Sequence, residues 1–306
     1  MSYYGEGLLS FATTHSLGAC TLGARPTGAT CSEKVQRRPE AMIETFKPLF
    51  TAAEAYPELE RLFLSAQSEV RASFRIFDLS TRLRSAEGKA IGQTWFDLIV
   101  HTLNRGVTVH FTLCDFDPIV AHDLHAQTWA AARQFYGAAE CATAGQLIFE
   151  PAMHPARAGR LPRLAFWPLM IRKLRQHAAE LNAMPVAKRK RVCANMPGLR
   201  DFLELREGGT VKLKSFGAPE IHPATHHQKL ATFDGRTLFI GGLDVNERRF
   251  DTQDHNQPAH ETWQDISCVV TGKIVDRAVE HLAGFLKRPT PPQTGSPFLI
   301  TQSGQG

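Results

Sequence analysis

The sequence predicts an α/β protein, a mixed and partly parallel sheet flanked by helices, with a basic helical insertion. A strand-helix-strand pattern runs from 73 to 115, two apolar runs meet at Asp234-Gly235, and ten Lys/Arg crowd between Arg157 and Arg191 against one acid, Glu180. At 306 residues the chain is long enough to bury a large core. Hydrophobic residues make up 43% and charged residues 21%, the balance of a globular protein, with no apolar run long enough to cross a bilayer. Composition divides the chain into a poorly ordered leader over 1–42, a domain over 43–288 with an insertion at about 151–195, and a loose Pro/Gly/Ser/Thr-rich tail over 289–306.

Taken in order, Leu59, Leu62, Phe63, Ala66 and Val70 recur at helical spacing and predict a helix over 58–70; SFRIFD (73–78) then reads as a strand. The run WFDLIVHTLNRG places Trp95, Leu98, Ile99, Thr102 and Leu103 on one helix face, and Gly106 supplies the left-handed residue that ends it. VTVHFTLCD (107–115) is the next strand, so this is a βαβ unit with a right-handed crossover. Its functional loops belong at the carboxyl ends of the strands, near Asp78 and Asp115. A helix over 121–136 and the run QLIFEP lead into the basic segment, where Pro162 and Pro168 predict broken helices with an apolar and a cationic side. Strands follow at 210–214, 229–233, 236–242 and 265–272, and a helix over 274–287 closes the domain.

The net charge of +5 is unevenly spread: residues 157–191 carry +9 and the remainder −4. A surface built throughout for nucleic acid is therefore not favoured. The segment packs as an insertion with solvated charges, and it also suits a lipid interface, with Phe166 and Trp167 dipping while Arg/Lys meet phosphate headgroups. The N-terminus has no basic start ahead of its weak apolar run, so a secretory signal is not read and a cytoplasmic chain, peripheral at a membrane through 157–191, is expected. The six cysteines form no C-x-x-C pair and read as free thiols.

The stretch HHQKLATFDGRTLFIGG (226–242) concentrates the chemistry. Asp-Gly between apolar runs predicts an antiparallel hairpin. In a strand i and i+2 share a face, so His227 and Lys229 project together while Gln228 and His226 point away. Only His227 among the thirteen histidines has lysine two positions later. A lysine beside an imidazole is costly in a core but useful around a phosphate, where Lys229 neutralises the anion and a neutral His227 nitrogen attacks phosphorus. Gly241 and Gly242 let backbone approach closely. A metal site from His222, His226, His227, His255 and His260 lacks cysteine and any H-E-x-x-H spacing, so no metal and no cofactor are expected.

The spacing His227-x-Lys229-x4-Asp234-x6-Gly241-Gly242 resembles the H-x-K-x4-D-x6-G-G signature of the phospholipase D superfamily. IGGLDVNERRFDTQDH (240–255) with WQDISCVVTG (263–272) resembles the segment after the first motif of phosphatidylcholine-type members, and SFRIFD with NRGVTVHFTLCD resembles the opening of their domain. The resemblance covers about 45–288. It implies an αβα sandwich and a metal-independent phosphodiesterase working through a phosphohistidine: His227 as nucleophile, Lys229 as phosphate ligand, Asp234 as the motif acid in a more structural role, and Asp265 hydrogen-bonding the far nitrogen of His227. Gly241, Gly242 and Asp244 would line the phosphate site. Family members of this type carry two motifs and this sequence has one. It implies a second motif-bearing half, from a second copy or a separate chain, or a catalytically incomplete lipid- or phosphate-binding half; the incomplete-half readings fit the post-glycine segment better than a homodimer. Phospholipid is the expected substrate, with a nuclease or other phosphodiesterase as the alternative.

Overall fold

The computed structural model describes residues 41–286. The expected leader, apart from Ala41 and Met42, and the expected tail lie outside the described residues. The elements are β1 (Thr45–Phe50), α1 (Thr51–Ser65), β2 (Glu69–Phe74), α2 (Ala86–Ile91), α3 (Trp95–Asn104), β3 (Thr108–Asp115), α4 (His122–Cys141), β4 (Gln146–Met153), α5 (Arg160–Ala183), α6 (Val186–Ala194), β5 (Leu203–Leu205), β6 (Val211–Leu213), β7 (Leu230–Phe233), β8 (Thr237–Gly241), β9 (Ile266–Thr271) and α7 (Ile274–Leu286).

Seven strands form one sheet in the order β1-β9-β8-β7-β2-β3-β4. β2, β3 and β4 are parallel, and the others pair antiparallel. The mixed sheet follows from the connections: helical crossovers of α2–α3 and α4 join the parallel strands, and the Asp234-Gly235 turn joins β7 to β8 directly. Asp234 and Gly235 both have positive φ, +51° and +63°, and with Arg236, whose N–H donates to the Phe233 carbonyl at 3.0 Å, they form a three-residue loop between the paired Phe233 and Thr237.

Alternation along β7 assigns the layers. Ala231 and Phe233 enter a core shared with Phe63, Phe77, Trp95, Phe111 and Phe135 from the α1, α3 and α4 side. Leu230 faces the other way, with Leu238, against Val275, Ala278 and Leu282 of α7. The sheet is thus covered by helices on both faces. The predicted inward residues of α3 are all buried, its start is held by a reciprocal Thr94/Asp97 capping box, and Gly106 has φ +84°.

Several boundaries differ from the sequence reading. The first helix is α1, ending at Ser65, and Val70 belongs to β2 instead of the helix. The cause is remote in sequence. Asp234 accepts hydrogen bonds from the backbone N–H of Gln67 (2.9 Å), Ser68 (2.8 Å) and Glu69 (3.0 Å) and from the Ser68 hydroxyl (2.8 Å), fixing the chain in an extended exit before β2. Pro48 interrupts the strand pattern of β1 in the sequence, and as an edge strand β1 tolerates the missing donor. Pro168 does not break the basic segment, where α5 is one helix of 24 residues.

The 210–214 strand does not join the main sheet. Its Val211–Leu213 pairs with β5 as a separate two-stranded sheet. Together with α5 it builds a second apolar cluster of Met170, Leu174, Leu181, Leu199, Leu203, Val211 and Ile221, joined by Ile119 from the β3–α4 connection. The inserted structure therefore extends well past residue 195.

Asp234 is a mechanical residue by these contacts, and its removal has a defined signature. Burial alone would raise its pKa, but the N–H groups of Glu69, Ser68 and Gln67 outweigh that and bring it below 3.8. Asp234→Ala is expected to lower unfolding stability by about 2 kcal/mol at neutral pH. Because the folded carboxyl is the stronger acid, this contribution is complete above pH 3.8 and fades as the pH falls below it, so denaturant titrations of the two proteins should converge in acid.

Candidate active site

The residue pair at the amino end of β7 sits beside the junction of the parallel and antiparallel halves of the sheet, since β7 pairs antiparallel with β2, whose other edge pairs parallel with β3. Strand parity continues back through the motif. Gln228 turns to the α7 face, donating to Ser73 Oγ at 2.7 Å and lying 2.9 Å from His281 Nε2. Lys229 takes the opposite face, where it is only 2% exposed.

A lysine so buried needs partners. The Lys229 ammonium lies 3.3 Å from Nδ1 and 3.4 Å from Nε2 of His227, and donates to the His227 carbonyl at 3.2 Å. Its counter-charge is Asp244, 4% exposed, at 3.7 Å. The other Asp244 oxygen lies 3.6 Å from Arg75 Nη1 at the carboxyl end of β2. The Ile76 N–H donates to Asp244 at 3.1 Å. From α1, the Tyr56 hydroxyl lies 2.6 Å from the Asp244 carbonyl and accepts the Asn246 N–H at 3.1 Å, which pins the strand exit; burial keeps that phenol protonated well above its usual range.

Burial lowers the Lys229 pKa first, and Asp244 opposes the shift. The His227 pKa is lowered below 6.5, by desolvation first and then by the charges of Lys229 and Arg75. The ring is therefore neutral at pH 7 with a lone pair available, while its outer side remains exposed. This is the protonation state a nitrogen nucleophile requires.

Arg249 adds a third cation, which also acts on His227. It stacks on Trp263 at 3.4 Å from the ring centroid. Asp251 holds the intervening loop, accepting from Thr252 N, Trp263 N and His255 Nδ1, each at 2.8 Å. Burial opposes ionisation there, but His255 and those N–H groups bring the carboxyl down to about 2. Arg75, Asn246, Arg248 and Arg249 line a neighbouring cavity of about 380 Å³ between the 246–249 segment, the carboxyl end of β2 and α4, and His227, Lys229 and Asp244 lie outside its lining.

The glycine pair has a steric reason. A Cβ at Gly241 would fall 2.0 Å from Ser267 Oγ, and one at Gly242 would fall 2.0 Å from Asp265 Oδ2. Asp265 thus lies against the Gly242 backbone and accepts the Ile266 N–H at 2.8 Å. The hydrogen bond expected between Asp265 and His227 is not formed: Asp265 is spent on the start of β9, and its charge reaches Lys229 instead. Asp234 lies at the far end of β7 from Lys229, away from the imidazole. His226 turns toward His154, with ring centroids 4.8 Å apart. His222 faces the His154 carbonyl, His255 pairs with Asp251 and His260 is exposed, so these histidines do not converge.

The structure brings together His227, Lys229 and Asp244 from the sequence reading and adds Tyr56, Arg75, Arg249 and Trp263. Arg75 had a signal in the sequence, a cation at the carboxyl end of a parallel strand. Tyr56 had none, since its role depends on α1 crossing the β8 exit.

No family model matches the chain, and no curated protein does. Solved structures do match. The phospholipase D family member Nuc from Salmonella typhimurium is 10% identical with a TM-score of 0.39, covering 79% of this chain and 93% of its own. NucT from Helicobacter pylori is 10% identical with a TM-score of 0.36, covering 79% and 96%. Phosphatidylserine synthase from Haemophilus influenzae Rd KW20 is 14% identical with a TM-score of 0.40, covering 82% of this chain and 39% of its own.

The electrostatic coupling of His227 to Lys229 has a direct readout. In Lys229→Met the imidazole pKa, followed by NMR titration, is expected to rise toward 6.5, because a neighbouring cation that disfavours protonation is gone; an unchanged value would mean that the two groups are not coupled.

Proposed function

We propose that the protein is a phospholipase D-like phosphodiesterase acting on phospholipid headgroup esters, with His227 as nucleophile. The observation that carries the reading is the neutral, outward-facing imidazole held at 3.3 Å from the ammonium of a buried lysine, within a motif of matching spacing. In this mechanism a His227 nitrogen forms a bond to phosphorus, the bond from phosphorus to the headgroup oxygen breaks, and the leaving alkoxide takes a proton from a general acid. Lys229, Arg75 and Arg249 neutralise the charge that gathers on the phosphoryl oxygens. Water or an acceptor alcohol, deprotonated by the same acid-base group, then attacks phosphorus and releases the imidazole. Asp244 keeps Lys229 charged and aimed, and Asp234 keeps the hairpin in register.

The acid-base group that serves the leaving alcohol is assigned to a second motif-bearing half, either a second copy or a separate chain. A nuclease reading draws on the same cation set; the net charge of −4 outside 157–191 speaks against it. A phosphate-binding half without catalysis would retain the cavity and never become phosphorylated.

The deciding experiment is choline release from short-chain phosphatidylcholine, with acid-quench detection of phosphohistidine. His227→Ala and Lys229→Ala are each expected to reduce turnover by at least about 10³-fold while the circular dichroism stays unchanged. Substantial turnover in His227→Ala overturns the mechanism.

Lipid contact through the insertion is a separate part of the proposal. No helix among the described residues is long and apolar enough to cross a membrane, yet α5 exposes Leu161 (80%), Leu164 (54%) and Phe166 (51%) beside Arg160 and Arg172. Trp167 is half-buried, and Arg163 and Arg189 donate to backbone carbonyls, so these three serve the fold. Replacing Leu161, Leu164 and Phe166 with serine is expected to weaken cosedimentation with anionic vesicles about tenfold or more, and equal binding would return this face to ordinary solvent exposure.

A further inference from the structure

Away from the phosphate-type site, α4 and α5 bring together three side chains able to ligate a metal. His122 opens α4, while His177 and Glu180 lie three residues apart on α5 and so share one side of that helix. Their donor atoms lie within 4.8 Å of one another. His177 Nδ1 is 3.6 Å from Glu180 Oε2, and the two imidazole centroids are 3.8 Å apart. Two ligands bonded at about 2.1 Å to a tetrahedral ion stand about 3.4 Å apart, so the His177–Glu180 pair is already close to that spacing and the wider pairs, within 4.8 Å, need a modest side-chain closure.

On His177 and Glu180 the donor atoms that a metal would not use are already engaged. His177 Nε2 lies 3.3 Å from the Ile119 carbonyl and can only donate to it, so in the neutral ring Nδ1, which faces Glu180, is the nitrogen with the lone pair. A ligating imidazole ordinarily donates its other N–H to such a carbonyl, which fixes the tautomer. Glu180 Oε1 accepts the Gln176 amide at 2.9 Å, leaving Oε2 toward the histidines. His177 is only 7% exposed, unlike a solvated surface histidine. Asp123, whose carboxylate lies 3.2 Å from His122 Nε2, supplies a further oxygen at the rim. Lys173 brings an opposing charge to His122, outnumbered by the Glu180 and Asp123 carboxylates.

We propose that His122, His177 and Glu180 bind one divalent cation of the zinc class, with Asp123 or water as the fourth ligand. Two nitrogens and a carboxylate suit zinc; magnesium and calcium prefer oxygen ligands throughout. The ion would tie the start of α4, which follows β3 of the main sheet, to α5 of the insertion. It would act as a clasp and take no part in the chemistry at His227.

The test uses the whole chain, stripped with a chelator, re-equilibrated with zinc chloride, dialysed and assayed for bound metal. About one zinc per chain is expected, with a raised Tm and, after cobalt substitution, the visible absorption bands of a four-coordinate ion. His122→Ala and Glu180→Gln change groups outside the apolar core and should fold as the wild type does, each weakening zinc binding by at least about 100-fold. His260→Ala, at an exposed histidine remote in sequence from the cluster, should bind as the wild type does. Absence of zinc from the wild type, or equal binding by His122→Ala and Glu180→Gln, overturns the site.

Discussion

The buried carboxylate of Asp244 is the constraint around which this end of the molecule is organised. Lys229 and Asp244 are 2% and 4% exposed, and neither charge is tolerable there alone. Their separation of 3.7 Å, longer than a tight ion pair, matters as much as their proximity. A lysine locked onto one acid would have no field left for a ligand; here the ammonium also faces the imidazole and the acid is shared with Arg75. Removing Asp244 would leave two cations confronting each other, so this acid permits a cationic site to exist inside a fold. Its own position depends on the Ile76 N–H and on the Tyr56 hydroxyl bonded to its carbonyl, contacts from 168 and 188 residues away in sequence.

The same hairpin carries a second carboxylate with the opposite task. Asp234 terminates β7 at the end remote from Lys229 and binds the chain entering β2 through three backbone N–H groups and the Ser68 hydroxyl. One end of the strand therefore sets the register and the other bears the ionisable groups. A slip of one residue would turn Lys229 toward α7 and Gln228 into the site. The close approach of Ser267 and Asp265 to Gly241 and Gly242 disfavours that slip from the neighbouring strand, since a Cβ at either position would force Ser267 or Asp265 to move.

Much of this was legible in the sequence because the informative features are local. The βαβ unit, the inward face of α3, the Gly106 terminus, the Asp-Gly turn and the shared face of His227 and Lys229 all follow from spacing within one or two elements. The misreadings were non-local. Val70 belongs to a strand because a carboxylate more than 160 residues away intercepts the N–H groups beside it. Pro48 hides β1 because an edge strand needs only half its donors. Asp265 lies in the right neighbourhood, but whether it would meet His227 or the start of β9 depends on side-chain geometry that spacing does not encode. Tyr56 and Trp263 have the same origin: ordinary aromatic residues given a role by what crosses them.

Under the proposed chemistry, the site is unevenly finished. Its electrostatic part is buried and cross-braced, whereas the His227 ring is open on its outer side. Preorganised charge stabilises a transition state most where water is excluded, and an open imidazole exposes a phosphorylated intermediate to uncontrolled hydrolysis. A body that covers His227 would at once raise the local field of Lys229 and Arg75, exclude bulk water and bring the proton donor that a leaving alcohol needs. All three requirements fall on the same side of the ring, so one covering surface can meet them together, which is the physical argument for a second motif-bearing half over a self-sufficient monomer.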